Sequence, residues 1–329
     1  MSFDVYGLGN ALVDIQYQVD PDFLQEMSID KGVMTLIEED RQEALITNLG
    51  GKEMARSSGG SAANTMISVV NCGGTGYYAC KVAYDADGDF YLNDLEASGV
   101  KSSTSNRSEG TTGKCLVMIT EDADRTMNTF LGITSTFGPE QIEQDMIAQS
   151  KYIYIEGYLV AGDSGFESAQ VAQKMAQDSG VKVSLTLSDP FITSTFMDRM
   201  QALVNAGVDM LFCNEDEAKM FTNTDTVEAA CAALANRVGG FAVTCGADGA
   251  RVKDGGDLIH ASGFQVDAVD TNGAGDSFAG AYLAAVTNGY TAEQAAKLAT
   301  YVSSRVVSKY GPRFEDKLSK DDIEGILGM

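Results

Sequence analysis

The sequence is nearly without imidazole and has no indole. Of 329 residues, one is histidine, His260, and none is tryptophan. A Ser-His-Asp triad needs an imidazole to move its proton, so chemistry here falls to carboxylates, backbone amides or a bound metal. His260 itself, beside Asp257-Leu258-Ile259, reads as an incidental surface residue at a strand end. The four prolines (Pro21, Pro139, Pro190, Pro312) stand at segment edges, where a missing N–H costs little. The six cysteines are scattered without a C-x-x-C pair. Their spacing suits neither a zinc knot nor a disulfide scaffold and points to buried free thiols in a reducing compartment. No run of about 18 uncharged apolar residues is present to span a bilayer. Met1-Ser2-Phe3-Asp4-Val5 lacks the basic and apolar regions of a signal peptide. Basic residues are scarce: 23 Lys+Arg face 47 Asp+Glu, for a net charge of −24. That field repels phosphate backbones and anionic membranes. Neither nucleic acid nor membrane is expected as a partner, and a cytoplasmic location is.

What is present is a globular composition, 44% hydrophobic and 21% charged, over a length that fits one large α/β domain or two smaller ones. From about residue 150, short β-type runs (152–155, 181–187, 209–213, 241–244) alternate with helical stretches. This unit of roughly thirty residues predicts a parallel sheet covered by helices. Residues 5–10 and 76–83 fit the same buried sheet. Residues 13–19, 32–37 and 114–120 instead show partial alternation, expected of strands with one wet face. They predict a small accessory sheet, built from about residues 12–38 and 103–132, over the main one.

Three stretches bring chemistry together. Asp270-Thr271-Asn272-Gly273-Ala274-Gly275-Asp276 opens an amphipathic helix carrying Phe278, Tyr282 and Val286. Small residues in a first turn let a ligand approach unpaired N–H groups at the positive end of the helix dipole. An acid beside such an anion hole, Asp276, is explained if it takes a proton from a hydroxyl attacking a held phosphoryl group. An ordinary favourable charge at a helix start explains it equally well on local spacing. Ser57-Ser58-Gly59-Gly60-Ser61-Ala62-Ala63-Asn64 is a second glycine-rich start, with Asn64 able to donate to and accept from a polyol, or simply to cap a helix. Asn214-Glu215-Asp216-Glu217 follows a strand at its carboxyl end, where open α/β sheets bind ligands. These acids suit hydrated Mg²⁺, or make a solvated helix start. Two further motifs lack their context. Gly7-Leu8-Gly9-Asn10-Ala11-Leu12 misses the third glycine and the helix of a dinucleotide fingerprint. Gly110-Thr111-Thr112-Gly113-Lys114-Cys115 has neither the spacing nor the final Ser/Thr of a P-loop.

Taken together, the 58–64 and 270–276 stretches resemble the two signatures of the ribokinase-like (PfkB) family of carbohydrate and nucleoside kinases, in family order, and the likeness runs over essentially the whole chain. Within the family it looks most like the adenosine-kinase branch, through Gly9-Asn10-Ala11-Leu12-Val13-Asp14-Ile15, Leu187-Ser188-Asp189-Pro190-Phe191-Ile192 and Asn272. Asp189 stands where that branch usually carries a small residue.

The resemblance implies one α/β kinase domain over residues 1–329: a three-layer α/β/α sandwich with a mostly parallel central sheet and a small β-sheet lid. It implies Asp276 as catalytic base and an anion hole from the amides of Gly273, Ala274 and Gly275. Asn10, Asp14, Gly60, Ser61 and Asn64 would hold a ribose. Asn214 and Glu217 would position Mg²⁺ through water, and Thr244, Gly246 and Gly249 would line the ATP site. Arg125 would balance phosphate charge from the lid. Tyr158 would stack on a base or serve as a structural aromatic. A monovalent cation such as K⁺, if used, would lie near Asp267 and Val269. The implied function is ATP- and Mg²⁺-dependent phosphorylation of a nucleoside 5′-hydroxyl, adenosine first, by a monomer or homodimer. Apolar lid residues Val13, Ile15 and Tyr17 favour a base over a bare sugar. The alternatives are a sugar kinase of the same fold (acting on ribose, fructose or a keto-deoxy acid) and a non-catalytic nucleotide or sugar sensor.

Overall fold

Alternation along each central strand sends successive side chains to opposite faces, and in this chain both faces are apolar. The computed structural model describes residues 2–122 and 124–329. Its main sheet has nine strands, with Phe3–Leu8 lying between Ser150–Ile155 and Gly76–Ala79, parallel to both. Beyond Ser150–Ile155 follow Lys182–Thr186, Met210–Asn214 and Gly240–Thr244, all parallel, then Ala250–Asp254 and Ile259–Ala261, both antiparallel. Lys101–Ser102 closes the other edge.

Tyr152, Tyr154, Met210 and Phe212 pack on one face with the helices Ser61–Asn71, Ala274–Thr287 and Ala292–Val307. Ile153, Ile155, Leu211 and Cys213 pack on the other with Asp163–Asp178, Met197–Asn205 and Val227–Leu234. Two apolar cores on two faces make the three-layer α/β/α arrangement.

A second sheet has five strands in the order Met34–Leu36, Arg125–Phe130, Gly113–Ile119, Leu12–Gln18, Glu53–Gly59. It takes in Glu53–Gly59, outside the stretches expected for it, whereas Arg107–Ser108 pairs with Val82–Ala83 in a separate ribbon. The expected run 32–37 shortens to the exposed strand Met34–Leu36. The expected alternation holds for Leu12–Gln18, where Leu12, Asp14 and Gln16 are half-buried and Gln18 is exposed, and fails for Gly113–Ile119, which is buried almost throughout. Val13, Ile15, Tyr17, Leu116 and Met118 join the apolar core together with Leu45 and Leu49 of the helix Glu39–Leu49. The alternate residues Leu12, Asp14, Cys115 and Val117 face a cavity.

All six cysteines are free and five are buried. His260 is exposed, with Nε2 3.2 Å from the Asp248 carbonyl. No helix among the described residues is long and apolar enough to cross a membrane.

Candidate active site

The loops at the carboxyl ends of the main parallel strands and one face of the small sheet enclose a cavity of about 1280 Å³. That exceeds the usual range for a single small ligand, about 300–1,000 Å³, and leaves room for two ligands side by side. Among its lining residues are Asn10, Asp14, Gly60, Ser61, Asn64, Tyr158, Asn214, Glu217, Thr244, Gly246, Gly249 and every residue from Gly273 to Asp276. Residues as far apart in sequence as Asn10 and Asp276 therefore meet in one place.

At the centre lies the first turn of the helix Ala274–Thr287. Gly273 caps it in the left-handed region at φ 73°, where a Cβ would stand 2.0 Å from the Pro312 carbonyl, so only glycine fits. Ala274 N–H donates to the Thr271 carbonyl at 3.3 Å, which removes it from the anion hole expected of residues 273–275. The N–H groups of Gly273, Gly275 and Asp276 make no backbone hydrogen bond among the described residues. They are the free donors a helix start offers an anion. A Cβ on Gly275 would meet nothing within 4 Å, so the backbone there is open to a ligand.

The Asp276 carboxylate is fixed from the second glycine-rich start. Ser61 Oγ donates to Oδ1 at 2.6 Å, and Asn64 Nδ2 donates to Oδ2 at 3.2 Å. Both donors lie in the first turn of the helix Ser61–Asn71, capped by Gly60 at φ 100°, where a Cβ would strike the Asn10 carbonyl at 2.2 Å. Burial pushes Asp276 up to about 6, against the pull of its two hydrogen bonds. The Asp14 side chain, across the cavity, makes no hydrogen bond or ion pair among the described residues. Burial pushes it up to about 7, opposed by the charges of Arg313 and Arg125. A partly buried carboxylate without partners, facing open space, is a ready acceptor for ligand hydroxyls.

Glu156 belongs to the same wall and was not singled out from sequence. Its Oε1 accepts from Asn10 Nδ2 at 2.9 Å and Asn10 N–H at 3.2 Å, and its Oε2 accepts from Ala62 N–H at 2.8 Å. It ties Asn10 to the Ser61 helix, and burial pushes it up to about 7. The signal was available: a lone acid directly after the apolar run Tyr152–Ile155, at the carboxyl end of a central strand.

On the opposite side Asn214 caps the helix Glu215–Thr222. Its Oδ1 accepts from Asp216 and Glu217 N–H, both at 2.9 Å, while Glu217 accepts in return from Asn214 N–H at 2.9 Å and Nδ2 at 2.8 Å. The pair is thus a capping box. Glu217 is buried and has no ion pair among the described residues, and burial pushes it up to about 7. No group of three or more His, Cys, Asp or Glu converges as a metal cage among the described residues. The oxygen donors along this wall, with the uncompensated Glu217 among them, fit Mg²⁺, which keeps several waters and takes one or two carboxylates.

Arg125 lies off the cavity wall. Its guanidinium lies 2.9 Å from Asp270, with its centre 5.8 Å from that of the Tyr310 ring. From there its positive charge acts on Asp14 of the cavity wall. Asp270 also accepts from Asn272 N–H at 3.1 Å and Gly311 N–H at 2.9 Å. Asp267 and Val269 are exposed and likewise off the wall. The apolar side of the cavity comes from Leu12, Met34, Leu36, Val117, Met127 and Leu131, and not from Val13, Ile15 and Tyr17, whose side chains point the other way into the core. Tyr158 lines the wall half-buried, and burial raises its phenol so that it stays neutral.

Comparison with known proteins places this geometry. The family described as pfkB family carbohydrate kinase matches residues 27–318. The adenosine kinase of Saccharomyces cerevisiae is 28% identical over 338 aligned positions, covering 95% of this chain and 97% of that protein. Among solved structures, a probable sugar kinase protein from Rhizobium etli matches with a TM-score of 0.90 at 35% identity, covering 99% of this chain and all of that one. The adenosine kinase from Sinorhizobium meliloti matches at 0.87 and 35% identity, covering 95% of this chain and 96% of that one.

Proposed function

Since the chain belongs to the pfkB family of carbohydrate kinases, and is therefore a phosphotransferase with a hydroxyl acceptor, we propose that it transfers the γ-phosphoryl group of ATP to the 5′-hydroxyl of a nucleoside, adenosine first. The observation that carries this is the meeting of two glycine-rich helix starts. One offers unpaired amides to an anion, and the other aims Asp276 at the same point through Ser61 and Asn64.

In this reading Asp276 accepts the proton of the attacking hydroxyl. The amides of Gly273, Gly275 and Asp276 stabilise charge on the transferring group. Asn10, Asp14, Gly60 and Asn64 hold the ribose hydroxyls, and Tyr158 lies against the base. Thr244, Gly246, Gly249 and Asn214 line the place of ATP. Glu217, beside Asn214, would hold Mg²⁺ through water, and the ion would supply neutralisation of the phosphate charge. The small sheet acts as a lid whose inner face keeps water from the acceptor.

The apolar face of six side chains above the ribose site suits a planar base better than a bare sugar, which asks for polar partners all round. The relative named as a sugar kinase supports a second reading, in which the polar group Asn10, Asp14 and Asn64 holds a free sugar. ATP consumption measured in parallel with adenosine, inosine, guanosine, ribose and fructose separates them. Adenosine-selective turnover is expected. A response to sugars alone overturns the nucleoside reading and keeps the kinase.

A further inference from the structure

Resting on that reading of the cavity, we propose that Arg313 is a positioning residue of this site: through Ser58 and Asp94 it sets the turn that presents Ser61 and Asn64 to Asp276, and its segment Gly311–Phe314 keeps that turn in register with the anion hole.

The turn Ser58-Gly59-Gly60 enters the Ser61 helix and brings its own backbone against the acceptor side. Gly59 lies so close to Asp14 that a Cβ there would stand 2.2 Å from the carboxyl group. The turn is held from behind. Asp94 Oδ2 accepts from Ser58 N–H at 2.8 Å and from Ser58 Oγ at 2.7 Å, and Tyr91 OH donates to the Gly59 carbonyl at 2.9 Å. Arg313 completes the clamp. One terminal nitrogen donates to Asp94 at 3.0 Å; the other reaches Ser58 Oγ at 2.6 Å and the Ser58 carbonyl. Ser58 is fully buried, so the arginine leaves it no solvent-facing alternative. The Arg313 Nε is buried without a partner among the described residues, which a simple surface ion pair would avoid. The two-pronged guanidinium end is what the turn uses, and an ammonium does not reproduce it.

The residues beside Arg313 reach the other half of the site. Gly311 N–H donates to Asp270 at 2.9 Å, and the Pro312 carbonyl lies directly over Gly273. Phe314 is buried in the core, and its carbonyl accepts from Asn71 Nδ2 at 2.7 Å at the far end of the Ser61 helix. Four consecutive residues therefore touch both glycine-rich starts, 255 positions from Ser58 in the case of Arg313. Arg313 is also the largest favourable charge acting on Asp14. A clamp that shifts by a fraction of an ångström moves Ser61, Asn64 and Asp14 relative to the amides of residues 273–276, where misplacement by about 1 Å costs on the order of a hundredfold in rate.

The test compares Arg313→Met, Arg313→Lys, Asp94→Asn and the Arg313→Met/Asp94→Asn double variant with the unaltered chain, by amide hydrogen exchange and by kinetics with ATP and adenosine. Exchange is expected to quicken by about tenfold or more in segments 58–64 and 270–277 and not elsewhere. The double variant should do no worse than either single one, because the groups act as one unit. The adenosine KM should rise and kcat fall, each by about tenfold, with the KM for ATP nearly constant. Lysine restores the charge and only part of the effect. A folded Arg313→Met protein with unchanged exchange in both segments overturns the proposal, as does loosening spread over the whole chain. If the methionine variant does not fold, Arg313→Lys decides by the same exchange readout. An unaltered chain that consumes no ATP with any acceptor defeats the kinase reading, and the exchange result still judges the clamp.

Discussion

Asp276 sits under opposing demands. Withdrawal from water favours its protonated form, and the donors Ser61 and Asn64 favour the carboxylate; the balance leaves it near 6. A general base works best when its pKa lies close to the working pH, and this one is ionised at neutrality while still basic enough to accept a proton. Replacing it with asparagine keeps shape and volume. Asp276→Asn should fold normally, bind ATP as measured by calorimetry, and lose roughly 10²–10⁴-fold in turnover. In the unaltered enzyme kcat/KM should fall as the pH drops through about 6, because Asp276 then carries its proton. Asp14 and Glu156 both feel its charge, so the acid limb belongs to a coupled set and should be broader than that of one isolated group. Near-normal turnover in Asp276→Asn would remove this residue from the chemistry.

Among the elements, the two short turns that start helices were readable because their information is local. Glycine at a left-handed cap and small residues in a first turn are written in consecutive positions. The same turn yields a contrast. Gly273→Ala forces a left-handed alanine at a cost of roughly 1–2 kcal/mol, and adds an overlap with the Pro312 carbonyl, so the denaturation midpoint should drop. Gly275→Ala meets no neighbour and improves helix propensity by up to about 1 kcal/mol. It should be at least as stable, yet inactive, because its methyl group would enter the open space where the proposed anion hole holds the phosphoryl group. A Gly275→Ala protein that turns over normally would place the anion elsewhere. What sequence did not reveal is long-range. Glu156 is placed locally, at the end of a central strand, but its partners Asn10 and Ala62, 146 and 94 positions away, show only in the fold. Arg313 and Arg125 likewise take their meaning from partners far along the chain. The small sheet shows a different limit. Alternation in residues 12–18 separates two faces, but it does not say which one meets a ligand when the other is covered by the helix Glu39–Leu49.

For the molecule as a whole, the cavity concentrates carboxylates in a chain that already carries a net charge of −24. Asp14, Glu156, Glu217 and Asp276 are all raised to between about 6 and about 7. Each binds its proton more tightly folded than unfolded, so between about pH 4 and pH 7 the native state holds more protons and stability falls as pH climbs. Carboxylates pulled below their usual range, such as Asp85 and Asp94, add stability with rising pH only up to about pH 5, where unfolded aspartates finish titrating, and leave the falling slope above it unchanged. Global self-repulsion acts in the same direction. Calorimetry of the ligand-free protein should therefore give a Tm that declines from pH 5 to pH 7.5, and that rises with added salt at the upper end. A Tm climbing steadily with pH over that interval would contradict this account.

Because Gly311 through Phe314 close both glycine-rich turns, translation delivers the reactive groups well before the piece that seats them. At about 5–20 residues per second, a growing polypeptide already carries Asp276 while the segment that seats it is still inside the ribosome. A message stopping short of Gly311 should therefore yield a product whose two glycine-rich turns lack the segment that joins them.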